Sequence, residues 1–235
     1  MAPNNNPSNT YDFFATNADI VLSAYERIQI RAPSLRQEHM LSAYKEFNFL
    51  MAEQSNRGPN LWKQLRTQTT LVAGTATYTL PQSTIIVLDA SIVLNFGTTN
   101  ESRRYITPIS RTEYLSYANQ LTPGPPTVYW LDRLITPTIT FYPVPDNNGP
   151  YTFDYFTYTQ MNDSNLTGAQ TPDVPYRWMD CLVAGLAYRL ARIYAPQSEQ
   201  LRKADYDEAW KYAATQDTES VNVVLAPNLG TYYRR

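Results

Sequence analysis

The chain of 235 residues contains one cysteine and one histidine. A single thiol, Cys181, excludes an internal disulfide framework and fits folding in a reducing compartment. With one imidazole, His39, and one thiol, a zinc site would have to recruit two carboxylates, and no ligand spacing prepares such a set. A Ser-His or Cys-His relay would need His39 beside a nucleophile, and the G-x-S-x-G elbow does not occur. His39 is expected as a helix-surface or interhelical imidazole. Glycine is scarce at eight residues, and neither a P-loop nor G-x-G-x-x-G is present to cradle phosphate. No apolar run reaches the roughly 18 to 20 residues of a membrane span. The opening "MAPNNNPSNTYDFF" lacks the charged-then-apolar order of a secretory signal. No cofactor, metal or membrane contact is expected.

Charge is also sparse. Asp, Glu, Lys and Arg make up 17% of the chain, against roughly 25% in ordinary soluble domains. A polar, weakly charged surface suits a subunit that neighbours will cover. The net charge of −2 points to no gross basic field. From Leu71 to Tyr176 the four basic residues, Arg103, Arg104, Arg111 and Arg133, face eight acidic ones. Between Arg133 and Arg177 there is no cation at all. Gripping DNA requires cations that displace counterions from phosphate. This middle region is better suited to letting DNA pass than to holding it.

What is present divides the chain by period. Residues 1–15 are Asn- and Pro-rich and read as a mobile arm. "TNADIVLSAYERIQIRAP" is a helix with Thr16 and Asp19 as capping pair, Ile20, Val21, Ala24 and Ile28 on one face, and Pro33 as its end. A second helix is expected from Ser34, with a Ser34–Gln37 capping box and a stripe of Met40, Leu41, Tyr44, Phe47 and Met51. The short link predicts that the two pair antiparallel. From Trp62 the pattern alternates. "TQTTLVAGTATYTLP" predicts a hairpin turning at Gly74, "STIIVLDASIVL" a more buried strand, and "RRYITPISRTEYLSY" a strand with a helical turn. Helices return after Asp163. One carries Trp178, Leu182, Leu186, Leu190 and Ile193 at helical spacing; the next is expected to turn Leu201, Ala204 and Trp210 inward. The fold class is α+β. Residues 16–60 and 174–216 are expected as a four-helix bundle, 61–173 as an inserted antiparallel β domain, and 217–235 as an extended tail.

The densest signal is "PPTVYWLDRLITPTITFYPVPDNNGPYTFDYFTY", residues 125–158, read as an aromatic β-meander of three short strands. Pro137, Pro143 and Pro145 cannot donate ladder hydrogen bonds, so at least one strand lies at an edge or ends early. Tyr129, Trp130, Tyr142, Tyr155 and Tyr158 are the candidates for a subunit or tail interface, since tyrosine offers an apolar body with a polar tip. An alternative is a carbohydrate site, with these rings and Tyr151 stacking on sugars and a pair among Asp132, Asp146, Asp154 and Asp163 acting as acid and base. Two of those acids lie where turn chemistry alone calls for aspartate. The last stretch, "VNVVLAPNLGTYYRR", exposes apolar and aromatic groups without helical period. A partner is the favoured place to bury it.

The order of motifs resembles the head-to-tail adaptor proteins of short-tailed bacteriophages, of the tail tubular protein A type, over roughly residues 17–216. The residues carrying the resemblance are Tyr78-x-Leu80-Pro81, "PISRTEYL", Pro126-x-x-Tyr129-Trp130 leading to Pro143-x-Pro145, and Pro175-x-x-Trp178. The resemblance implies a non-enzymatic structural protein of the virion neck, assembled in the host cytoplasm as a homo-oligomeric ring of twelve subunits. It implies a portal protein above, a tail nozzle protein below, and DNA passing through without sequence-specific binding. It also implies that the tail docks on the portal, through Val221, Val223, Val224, Leu225, Leu229, Tyr232, Tyr233, Arg234 and Arg235. On that reading the segment orders only when docked.

Overall fold

The computed structural model describes residues 10–11, 13–58, 60–165 and 170–218. Among the described residues are two hydrophobic cores, one between helices and one between sheets.

Helix α1 (Asn17–Arg27) starts as its sequence predicts. The Thr16 hydroxyl accepts from the Asp19 N–H at 3.2 Å, and the Asp19 carboxylate accepts from the Thr16 N–H at 2.9 Å. These reciprocal bonds satisfy two donors that a helix start leaves open. The inward face of Ile20, Val21, Ala24 and Ile28 is buried as expected. The helix stops at Arg27, before Pro33, which instead opens a single 3₁₀ turn at Ala32–Ser34.

That turn corrects the start of the second helix, α2 (Gln37–Asn56). Pro33 presets a tight turn and Leu35 is extended, so Ser34 and Gln37 do not form a capping box. His39 does the capping: its Nδ1 accepts from the Arg36 N–H at 3.0 Å. The imidazole lies between α1 and the end of the long C-terminal-half helix, near the rings of Tyr25 (5.7 Å) and Tyr194 (4.8 Å). The buried stripe of α2 is also shifted. Ala43, Phe47, Leu50 and Met51 face the core, whereas Leu41 and Tyr44 are exposed.

After α2 the chain enters the sheets: β1 (Gln64–Leu71), β2 (Thr77–Thr79), β3 (Thr84–Leu94), β4 (Ser102–Tyr105) and β5 (Thr107–Pro108). A short helix, α3 (Arg111–Ser116), precedes β6 (Val128–Asp132), β7 (Thr138–Tyr142) and β8 (Tyr151–Thr159). One sheet has the order β1-β8-β3-β4 and the other β2-β7-β6-β5. Their inner faces meet in a core of Val87, Ile92, Tyr129, Phe141, Phe153 and Tyr155, with the Phe141 and Phe153 rings edge-to-face at 4.9 Å.

Three strand expectations are corrected by this topology. The stretch around Gly74 is not a hairpin, because β1 pairs with β8 and β2 with β7. At Gly74, φ is +79° and its N–H donates to the Pro145 carbonyl as the chain crosses between sheets. The three aromatic strands are not one meander either. β6 and β7 form a hairpin, while β8 sits in the opposite sheet between β1 and β3. Pro143 and Pro145 end β7 at Tyr142 and force that crossing, which is the early strand end the prolines predict. Finally, the β5–β6 pairing is parallel, so the second sheet is mixed.

The chain returns to the helices through a 3₁₀ turn at Tyr176–Trp178, followed by α4 (Met179–Tyr194) and α5 (Glu199–Gln216). α4 is the hub of the helical layer. α1, α2 and α5 each make their main helix contact with α4, so α1 and α2 are not principally each other's antiparallel partners. Gly185 allows this convergence: a Cβ there would meet Leu50 and Tyr206 side-chain carbons at 2.8 Å. Leu182, Leu186 and Leu190 are buried as predicted, but Ile193 is exposed. In α5 the inward residues are Tyr206 and Ala213, with Trp210 half-buried. Leu201 and Ala204 face solvent, contrary to expectation. The charged repeat of α5 carries little periodicity, so its orientation was set by where Tyr206 could reach.

Candidate docking interface

Helices and sheets meet at a polar joint. The Tyr158 hydroxyl, at the end of β8, donates to the Ser55 carbonyl at 2.9 Å and accepts from Asn60 Nδ2 at 3.0 Å. Lys63 Nζ binds the Asp173 carboxylate at 2.6 Å, which also accepts from the Asn162 N–H. The Asp217 carboxylate accepts from the Leu61 N–H and pairs with Arg177. These bonds tie the entry to β1, the exit from β8 and the end of α5 into one knot. Charge-assisted bonds of this kind hold geometry more firmly than neutral ones.

The far end of the sandwich is different. Opposite the joint, where Leu71, Leu94 and Tyr151 share one register line, the loops expose Val72, Phe96 and Leu121. A shallow hollow of about 410 Å³ lies beside Leu121, lined also by Gly74, Pro123, Val144, Pro145 and the polar Asp146 and Asn147. Exposed apolar groups gathered on loops at one end of a subunit are a docking signature.

The five aromatic interface candidates do not stay together. Tyr129, Tyr155 and Tyr158 are buried inside the subunit, at 1%, 2% and 4% exposure, and so are corrected from interface to core. Burial pushes the Tyr129 phenol up to about 12. Trp130 and Tyr142 point out of the second sheet and remain half-buried. Tyr114 of α3 stacks on Trp130 at 5.5 Å, and Tyr117, just past α3, stacks on Tyr142 at 4.1 Å. One face of each ring is thereby occupied, which ties α3 to the outer face of this sheet.

Two of the four acids fit a carbohydrate enzyme poorly. A general acid needs a raised pKa. Asp154 is held the other way, at about 2, by hydrogen bonds from Arg66 and then Arg103 that outweigh its burial. Asp146 is lowered by the Asn148 N–H and the Tyr151 hydroxyl, as its turn position predicts. Among the described residues no group of three or more His, Cys, Asp or Glu is placed to hold a metal, and no helix is long and apolar enough to cross a membrane. The residues expected at the portal, from Val221 to Arg235, lie outside the described residues.

Sequence reasoning missed the exposed loop apolars, because Val72, Phe96 and Leu121 are single residues scattered over three separate loops. It also missed the cleft beside the joint described below, whose lining comes from three distant parts of the chain. A scan of the curated proteins finds no match. The family model described as SU10 adaptor protein matches residues 42–227, from α2 through both sheets to beyond α5. A match over so much of the chain, on a subunit with a knotted joint and an apolar far end, assigns it: this protein belongs to the SU10 adaptor protein family, structural adaptors of the bacteriophage virion.

Proposed function

We propose that the protein forms a ring beneath the portal, links the portal to the tail nozzle, and continues the DNA channel. The observation carrying this reading is the polarity of the subunit: a helical layer at one end and exposed apolar loops at the other, joined by a polar knot. A head-to-tail connector needs two ends that bind different partners at a fixed separation. The helical layer faces the portal, and the loops carrying Val72, Phe96 and Leu121 face the nozzle. Trp130 and Tyr142, with their stacked partners, lie on a flank available to a neighbouring subunit. The segment from Val221 to Arg235 docks on the portal. Twelve copies close the ring, as the resemblance implies. The cation-poor β region lets DNA slide past without capture.

Co-sedimentation with the portal ring of the same phage tests this, comparing the full chain with one ended at Ser220. Binding at a fixed subunit ratio that disappears on truncation supports both the ring and the docking segment. Binding by both chains keeps the adaptor and moves the contact to the helices. A folded chain that never sediments with the portal overturns the reading.

A further inference from the structure

Beside the joint lies a cleft of about 170 Å³, lined by Arg57, Gly58, Asn60, Trp178, Trp210 and Asp217, with Ala214 at its wall. Trp178 is 3% exposed, and the indole N–H groups of Trp178 and Trp210 are both buried without an acceptor among the described residues. Buried donors left unpaired are costly. Indole nitrogen only donates. The group that completes this cleft must therefore bring an acceptor, such as a backbone carbonyl, alongside an apolar body. The Arg57 guanidinium lies 5.1 Å from the Trp210 ring centre and 4.8 Å from that of Tyr206 and binds Glu53 at 2.6 Å, so an occupant has to displace that side chain from its ion pair.

The subunit carries a matching knob. At the β6–β7 turn, Leu134 and Ile135 are 58% and 85% exposed. A residue at a turn presents its carbonyl together with its side chain. The turn projects toward the same end of the sandwich as the cleft. Asp132 and Thr138 are the last pair before it, Thr138 pairs with Thr79, and the Leu80 N–H donates to the Pro137 carbonyl just ahead of Thr84. Thr84 pairs with Thr159, next to Tyr158, which bonds Asn60 in the wall of the cleft.

We propose that the cleft is a socket for the β6–β7 turn of the adjacent copy, with Ile135 seated between the two indoles. This rests on the ring reading and gives it a specific contact. Rotation about a ring axis moves a subunit without raising it, so two patches that meet across a ring must lie at one height. With the axis running from helices to loops, socket and knob share that height. They also belong to different sheets' sides: the cleft adjoins β1 of the first sheet and the turn leaves the second. A head-to-tail contact between unlike patches is what closes a ring rather than a two-fold dimer.

The test is a chain carrying Ile135→Cys and Ala214→Cys, assembled on the portal ring and mildly oxidised. Cys181 does not interfere, because burial pushes its thiol up to about 12. The expected result is a ladder of covalent multimers that neither single substitution produces. Sedimentation with the portal but no ladder overturns the socket and leaves the ring reading standing. Failure of the unmodified chain to sediment removes both. Should only the double variant fail to sediment, hydrogen exchange on the unmodified chain decides. Residues 133–136 and 210–217 must both gain at least tenfold protection on the portal, and either one staying at its free-subunit rate overturns the contact.

Discussion

Tyr158 donates its phenol hydroxyl to the backbone carbonyl of Ser55, 2.9 Å away and 103 positions earlier in the chain. One residue belongs to the last strand of the sandwich and the other to the end of α2, so this bond is one of those that tie the two layers together. Tyr158→Phe keeps the ring and removes the hydroxyl, leaving the carbonyl short of a donor. A loss of about 1–2 kcal/mol is expected, read as a lower urea midpoint with an unchanged slope. An unchanged midpoint would show that water replaces the hydroxyl without cost.

Gly185→Ala sets two effects against each other. In a helix interior, alanine is favoured over glycine by about 1 kcal/mol. Here the added carbon meets Leu50 and Tyr206 at 2.8 Å, and overpacking costs about 1–3 kcal/mol. Net destabilisation is expected, with recovery on adding Leu50→Val. A stabilised single variant would mean that α2 and α5 move away from α4 freely.

Asp154 gives the protein a defined acid limit. Its side chain is 2% exposed, and its folded pKa of about 2 lies below the ordinary 3.8. A carboxylate depressed on folding contributes stability above its unfolded pKa, and that contribution is lost as pH falls from about 4 toward 2. Arg66 and Arg103 are nearly half exposed, so solvent screening trims the effect to about 1–2 kcal/mol. Asp154→Asn should cost that much at pH 7 and flatten the stability profile between pH 4 and pH 2. Parallel profiles for the two chains would show that the arginines do not hold the carboxylate.

Neighbouring residues on β6 should behave oppositely. Tyr129→Ala opens a cavity in the sandwich core and should cost about 3–5 kcal/mol. Trp130→Ala removes a half-buried ring stacked on Tyr114 and should cost about 1–2 kcal/mol, leaving a folded chain. That folded variant then reports on assembly alone. Complete tails built from it would exclude Trp130 from any interface.

Short windows of the chain carry the signals for the local pieces. Thr16 with Asp19 started the first helix, leucines at helical spacing marked the buried face of α4, and prolines cut β7 short at Tyr142. Each of these acts through neighbours within a turn or two, so its signal is contained in a short window. Which pieces meet depended on long-range packing. Nothing local distinguishes a Gly74 hairpin from a Gly74 crossover, because the same positive φ serves both, and the outcome depended on β8 pairing with β1. Tyr129 and Trp130 are adjacent aromatics in one strand, and only the second sheet's packing made one core and the other surface. On α5, with charges on every side, Tyr206 outranked Leu201 because its ring could fill the gap beside Gly185 while its hydroxyl reached Gln54 at 2.8 Å. Burial rewards area removed from water wherever the chain brings it together, and that is a property of the assembled layers rather than of any single stretch.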